Sequence, residues 1–170
     1  CAQAMVAEAS RERLAAAGFG REAIERVLDA MPIATHNQRG RGTLLVGSDA
    51  ELDPAMLVEM VEQSMSSETY DLLKRPDELF VVDKAHHAAR FVEDVVREML
   101  RYACDALGGL PDDAYVTARQ VNFESIHKHD AVSESGGTLG ELRRELAGES
   151  DVRHTRLEEW LYPAARVSAG

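Results

Sequence analysis

From Tyr115 to Glu124 the chain alternates as a strand does, and this run constrains the fold more than any other feature. Tyr115, Thr117, Arg119, Val121 and Phe123 would lie on one face; Val116, Ala118, Gln120, Asn122 and Glu124 would lie on the other. A polar strip of Gln120, Asn122 and Glu124 is unusual for a simple core strand. It suits the wall of a pocket that reads a ligand edge by hydrogen bonds. The strand then runs into Val121–Asp130, where Glu124, His127 and His129 bring one carboxylate and two imidazoles together. That combination serves metal-assisted or general acid–base chemistry. By spacing alone, a strand ending in a polar turn is the more ordinary reading.

Around this strand the pattern is mostly helical. Residues 2–17 are rich in Ala, Glu and Arg, with no Gly or Pro until Gly18, and residues 21–31 resume a helical period. A short strand is expected at Thr43–Gly47. Asp53-Pro54 is an N-cap and first-turn proline for a helix over about 54–67. Leu72–Glu78 reads as a charged loop and Phe80–Val82 as a strand fragment. A long helix over about 88–107 carries the apolar stripe Val92, Val95, Val96, Met99, Ala103, Ala106 and Leu107, and Gly108-Gly109 closes it. A second strand over roughly 129–135 returns beside the first and is broken at Gly136-Gly137; a short helix over 139–147 follows. Antiparallel strands with adjacent helices between them make an α+β layer. Such a layer has one helical and one bare face, and the bare face calls for oligomerisation.

Composition narrows the function classes. The formal net charge of -11 argues against a nucleic-acid partner held by a broad basic face. No run approaches the roughly 18 apolar residues of a membrane helix. Cys1 and Cys104 fit no disulfide framework, and a reducing cytoplasmic setting is the simplest expectation.

Four polar clusters can carry chemistry: Cys1 with Gln3, His36, Glu78, and the Glu124–His127–His129 group. A thiolate, an imidazole and a carboxylate from three separate segments would make a catalytic metal site with an open position. Each has an ordinary alternative. Cys1 could be a chain end once buried, His36 a turn cap, Glu78 a solvated charge, and the two histidines part of a surface hairpin. Cys104 falls on the core stripe and reads as a small hydrophobe. Glu93, in the first turn of the long helix, could simply complement the helix dipole. It could also accept two N–H donors from a purine-like ring.

Five segments in this order carry a resemblance: Cys-Ala-Gln at 1–3, Thr-His-Asn-Gln-Arg-Gly at 35–40, Leu-Leu-Lys-Arg-Pro-Asp-Glu at 72–78, Phe-Val-Glu-Asp-Val-Val-Arg at 91–97 and Val-Asn-Phe-Glu-Ser-Ile-His-Lys-His-Asp at 121–130. Together they resemble the metal-dependent GTP cyclohydrolases of the type IB group and their archaeal relatives, over residues 1 to about 138. The resemblance implies a tunnelling fold, an antiparallel sheet backed by two antiparallel helices and closing into oligomeric barrels. The chain would divide into a helical lead-in at 1–34, a tunnelling-fold half-domain at 35–138 and a C-terminal helix and tail at 139–170. The implied reaction opens the imidazole ring of GTP at C8, releases formate and gives a dihydroneopterin phosphate, either the triphosphate or the 2',3'-cyclic phosphate, for pterin and folate synthesis.

By the same resemblance, His36 and Glu78 match metal ligands. Glu93 matches the carboxylate that anchors guanine, and Glu124 and His127 match active-site residues near the reacting carbon. Cys1 matches one of the family's two cysteines, either metal ligand or neighbour of the reacting carbon. One divalent ion per site is implied, Fe2+, Zn2+ or Mn2+. Arg39, Arg41, Lys74, Arg75 and Lys128 lie beside these motifs and offer cations to the triphosphate, with His129 in the substrate-binding set. A family subunit carries two half-folds, so this chain corresponds to the C-terminal one. The expected assembly is a homo-oligomer, a tetramer, with an N-terminal half as a separate chain or a missing segment. The alternative is a non-catalytic purine- or pterin-binding or scaffold half.

Overall fold

The computed structural model describes residues 2–31 and 38–163. In chain order the elements are α1 (Ala2–Ala16), α2 (Arg21–Ala30), β1 (Gly40–Gly47), α3 (Pro54–Ser64), α4 (Arg75–His87), α5 (Val92–Ala106), β2 (Tyr115–Asn122), β3 (Ala131–Thr138), α6 (Leu139–Leu146) and α7 (Leu157–Leu161). They fall into two compact units, one of Cys1–Gln38 and Ser66–Ala89, the other of Arg39–Met65 and Arg90–Gly170.

The second unit is an α+β layer. Its three strands are antiparallel in the order β1-β2-β3, so the alternating run lies at the centre. Along β2, Val116 and Ala118 are fully buried and Gln120 nearly so, all three facing the helices. On the helical side, α5 buries Val92, Val95, Val96, Met99, Leu100, Ala103 and Cys104 along one stripe, as its period requires. These pack with Met60 of α3 and with Leu139 and Leu142 of α6 into one apolar core. Cys104 belongs to that core, and burial pushes its thiol pKa up, which suits a packing residue and not a nucleophile. The opposite sheet face leaves Leu45 and Val132 exposed beside an Arg119–Glu134 ion pair of 3.3 Å. Tyr115 belongs to that opposite face yet is buried, because the Trp160 ring lies over it with centroids 5.6 Å apart.

Caps fix the ends of these helices. Asp53 accepts the Ala55 N–H at 2.9 Å at the start of α3. At α6 the Glu141 carboxylate accepts the Thr138 N–H, the Thr155 N–H and the Thr155 hydroxyl at 2.9, 2.9 and 2.6 Å. Burial alone would raise its pKa, but those donors hold it below the ordinary carboxylate value and so tie the segment after α6 back to the sheet.

The other unit is helical. α1 and α2 form a hairpin through Gly18, whose φ of 90° is the left-handed conformation that favours glycine. Arg11 clamps the pair with two hydrogen bonds to the Glu25 carboxylate, at 2.9 and 3.1 Å. Here the structure corrects the sequence reading. Residues 75–87, expected as the end of a charged loop and a strand fragment, form α4. Pro76 stands in its first turn, where a missing N–H costs nothing, and Asp77 accepts the Lys74 N–H at 2.9 Å to close the cap. The long helix begins at Val92, not near 88, and β3 continues through Gly136-Gly137 to Thr138. Among the described residues no helix is long and apolar enough to cross a membrane.

Candidate functional site

One end of the layered unit gathers Arg39, Glu124, His127 and His129. The ladder between β1 and β2 ends at the Gly40–Asn122 pair, and the Phe123 N–H extends it by donating to the Arg39 carbonyl at 2.8 Å. Arg39 is thereby fixed at the mouth of the β2–β3 connection. Arg41, two residues on, carries its guanidinium 5.5 Å from the centre of the Phe123 ring. The connection 123–130 holds Glu124, His127, Lys128 and His129. Glu124 is half-buried, and its N–H donates to Asp130 Oδ1 at 3.2 Å, which closes the loop at its base. His127 and His129 are exposed and stack on each other, centroids 5.4 Å apart with 20° between the ring planes. That stacking holds the two imidazoles side by side.

Glu93 lies in the first turn of α5, exposed. The capping role that an acidic first turn suggests is taken by its neighbour: Asp94 accepts the Phe91 N–H at 3.0 Å and pairs with Arg97 at 2.8 Å. The Phe91 backbone donor and the Arg97 guanidinium hold the Asp94 carboxyl below its usual range. Among the described residues the Glu93 carboxylate has no such partner. The same division of labour recurs in the helical unit. Asp77 closes the α4 cap, while Glu78, one residue on, is exposed with its carboxylate unused by that cap. Lys74 and Arg75 are exposed at the same helix start.

The structure thus brings Arg39, Glu124, His127 and His129 to one end of the sheet unit, and Lys74, Arg75 and Glu78 to one turn of the helical unit. Cys1 and His36 lie outside the described residues. Among the described residues no three His, Cys, Asp or Glu side chains converge as a metal cluster. The donor set of Cys1, His36 and Glu78 nevertheless suits a divalent ion of borderline character, since it mixes sulfur, nitrogen and oxygen and its one described member is unengaged by the cap.

Two further features belong with these. Glu68, in the helical unit, accepts from the Lys84 ammonium and from the Tyr70 hydroxyl, and these donors pull its pKa down to about 2. A groove of about 590 Å3 between α1 and α2, floored by Ile24 and rimmed by Arg11 and Phe19, contains none of the candidate residues. Sequence reasoning passes over Gly40 and Gly42. Their signal is alternation: two glycines on one face of a strand, where side chains would otherwise pack.

The chain matches the family model described as type I GTP cyclohydrolase folE2 over residues 1–133. It is 48% identical over 148 residues to a protein named GTP cyclohydrolase MptA from Methanococcus aeolicus, covering 86% of this chain and 48% of that one. It is 44% identical over 154 residues to GTP cyclohydrolase MptA 1 of Methanocella arvoryzae, covering 89% and 49%. Identity to the MptA of Methanocaldococcus jannaschii is 44% over 148 residues, covering 86% and 47%. The chain therefore spans about half the length of the curated relatives it matches.

Proposed function

Because the chain belongs to the type I GTP cyclohydrolase folE2 family, we propose that it acts on GTP, opening the purine at C8, releasing formate and yielding a dihydroneopterin phosphate. The observation that carries this reading is the carboxylate of Glu93, left over by a cap that Asp94 already closes. A guanine ring offers N1–H and a 2-amino N–H side by side, and one carboxylate accepts both in charge-assisted bonds. Adenine has no N1–H, so the same pair of bonds selects guanine.

The other residues divide the remaining work. His127 donates a proton to the ring nitrogen that leaves C8 and takes one back later, the work of a general acid–base side chain. His129, stacked on it, restricts its orientation and contributes to substrate binding. Glu124, half-buried at the loop base, faces the reacting carbon. Arg39, Lys74 and Arg75 neutralise the triphosphate, which an acidic chain with a net charge of -11 must do locally. Cys1, His36 and Glu78 would hold one divalent ion, Fe2+, Zn2+ or Mn2+. When bound, such an ion supplies Lewis acidity that makes hydroxide available near neutral pH.

The exposed apolar residues Leu45 and Val132 on the bare sheet face, one on each edge strand of the sheet among the described residues, support assembly through that sheet. The tunnelling fold and its oligomeric barrel are the arrangement that would cover it, with an N-terminal half supplied by a second chain or segment. The product is the triphosphate or the 2',3'-cyclic phosphate.

Turnover decides between enzyme and binding half. Incubated with GTP and each of Fe2+, Mn2+ and Zn2+ in turn, the protein is expected to release one formate per GTP and to give pterin fluorescence after oxidation. GTP that binds but stays intact with every metal would replace the enzyme by the purine- or pterin-binding or scaffold reading.

A further inference from the structure

The helix-facing side of the sheet changes character along its length. At one end Val116, Ala118, Leu44 and Val46 make an apolar floor. Towards the other end the same face carries Gly40 and Gly42 on β1, Gln120 and Asn122 on β2, and Ala131 and Ser133 on β3. Gln120 is 1% exposed. Its Nε2 donates to Asn122 Oδ1 at 2.7 Å, while its Oε1 is buried without any hydrogen-bond partner among the described residues. A buried amide oxygen left unpaired destabilises a fold, and an apolar side chain of the same volume would not incur that penalty. Exchanging the O and N of the Gln120 amide alone would set its oxygen against Asn122 Oδ1 at the 2.7 Å contact, acceptor to acceptor, a worse arrangement.

The backbone beside this amide is cleared for it. A Cβ on Gly40 would overlap Gln120 Nε2 and lie 2.9 Å from Asn122 Oδ1. A Cβ on Gly42 would lie 2.5 Å from Met65 Cε, 2.6 Å from Val61 Cγ1 and 3.4 Å from Gln120 Oε1. The two glycines and the orphaned oxygen are independent observations, and both give the Gln120–Asn122 pair a fixed place.

That place is level with Glu93. α5 spans roughly 20 Å and β2 nearly the same. The connection 107–114 turns the chain back, so β2 ends beside the first turn of α5. Arg90, just before that turn, donates to the carbonyls of Gln63 and Met65 at 3.0 and 3.5 Å, and Met65 lies against Gly42, the ladder partner of Gln120.

We infer that Gln120 is a positioning residue: by engaging Asn122 Oδ1 from inside, it turns the side-chain NH2 of the half-buried Asn122 outward as a donor to the O6 of guanine. This rests on the reading of Glu93 as the guanine anchor, because O6 adjoins the N1–H that Glu93 takes. Asn122 then adds a second discrimination against adenine, whose 6-amino group would confront it donor to donor. The orphaned Oε1 is the stability given up to hold that orientation.

The test compares GTP with 6-thio-GTP, which keeps N1–H and the 2-amino group but replaces O6 by a poor acceptor. Binding is measured calorimetrically on the full chain. Wild type should prefer GTP by roughly three- to tenfold, the size of one hydrogen bond. Asn122→Ala and Gln120→Met should each erase that preference, with the melting temperature of Gln120→Met no lower than wild type. Glu93→Ala should weaken both nucleotides by the same factor. A preference that survives in Gln120→Met, or a fall in its melting temperature, overturns the positioning role while leaving the GTP reading intact. Failure of the wild type to bind GTP at all overturns both.

Discussion

The His127→Ala protein is expected to turn GTP over about 10²- to 10⁴-fold more slowly, the usual contribution of a positioned acid–base group. Binding of GTP should change little, because the carboxylate proposed to anchor guanine, Glu93, belongs to α5 and not to the loop. His127 is exposed and stacks on the His129 ring, so the substitution should leave the fold unaltered. The measurement is formate release at saturating GTP, alongside a calorimetric dissociation constant. Added imidazole should restore part of the rate in the variant, since it returns the missing proton donor without the side chain. A His127→Ala protein with the wild-type rate would remove the imidazole from the chemistry and leave the loop as a polar turn.

The largest effect on stability should come from Met99→Ala. Met99 is fully buried in the middle of α5, inside the cluster that joins that helix to β2, α3 and α6. Truncation leaves a cavity in a packed interior, at a cost of about 2–5 kcal/mol. In urea this should lower the midpoint of the layered unit by about 1–2.5 M, taking the slope usual for a small domain. Near-ultraviolet circular dichroism of Tyr115 and Trp160, which sit together in that unit, follows the transition. A midpoint within about 0.3 M of wild type would mean that the helical layer does not depend on this core, against the usual sensitivity of buried methionines.

The elements most legible in the sequence are those whose burial pattern is regular. α5 has apolar residues at three- and four-residue steps over four turns, and the helix forms there. The alternation in β2 placed Val116, Ala118 and Gln120 on one face, as observed. Where pairing or capping overrides local preference, the reading failed. β1 begins at Gly40 and β3 runs through Gly136-Gly137 because the ladders with β2 supply hydrogen bonds that glycine's weak strand preference does not forbid. At Gly136 a side chain would collide with the Val116 carbonyl at 2.6 Å, so the close approach itself explains the residue. α4 was hidden by Pro76 and its charged neighbours. The usable signal was there, a proline in the first turn followed directly by a capping aspartate.

Of the candidate residues, the stretch 124–129 was legible because its members are close in sequence. Glu93 was ambiguous with a helix-dipole charge and Glu78 with a solvated loop charge, and it takes the hydrogen bonds of Asp94 and Asp77 to separate the capping acid from the spare one. The Gln120–Asn122 pair was visible as a polar strip, but not the orphaned oxygen or the glycine clearance beside it. Those are properties of packing between strands and helices, and a single strand's pattern does not contain them.

The proposed chemistry requires three donors distant in sequence, Cys1, His36 and Glu78, to share one ion. Metal analysis of the purified protein, with Fe2+, Zn2+ or Mn2+ supplied and excess removed, should give one equivalent per chain. His36→Ala and Glu78→Ala should each lose most of it, while Glu93→Ala retains it in full. Retention of the ion by both ligand variants, or a wild-type chain that binds none, would contradict the proposed centre.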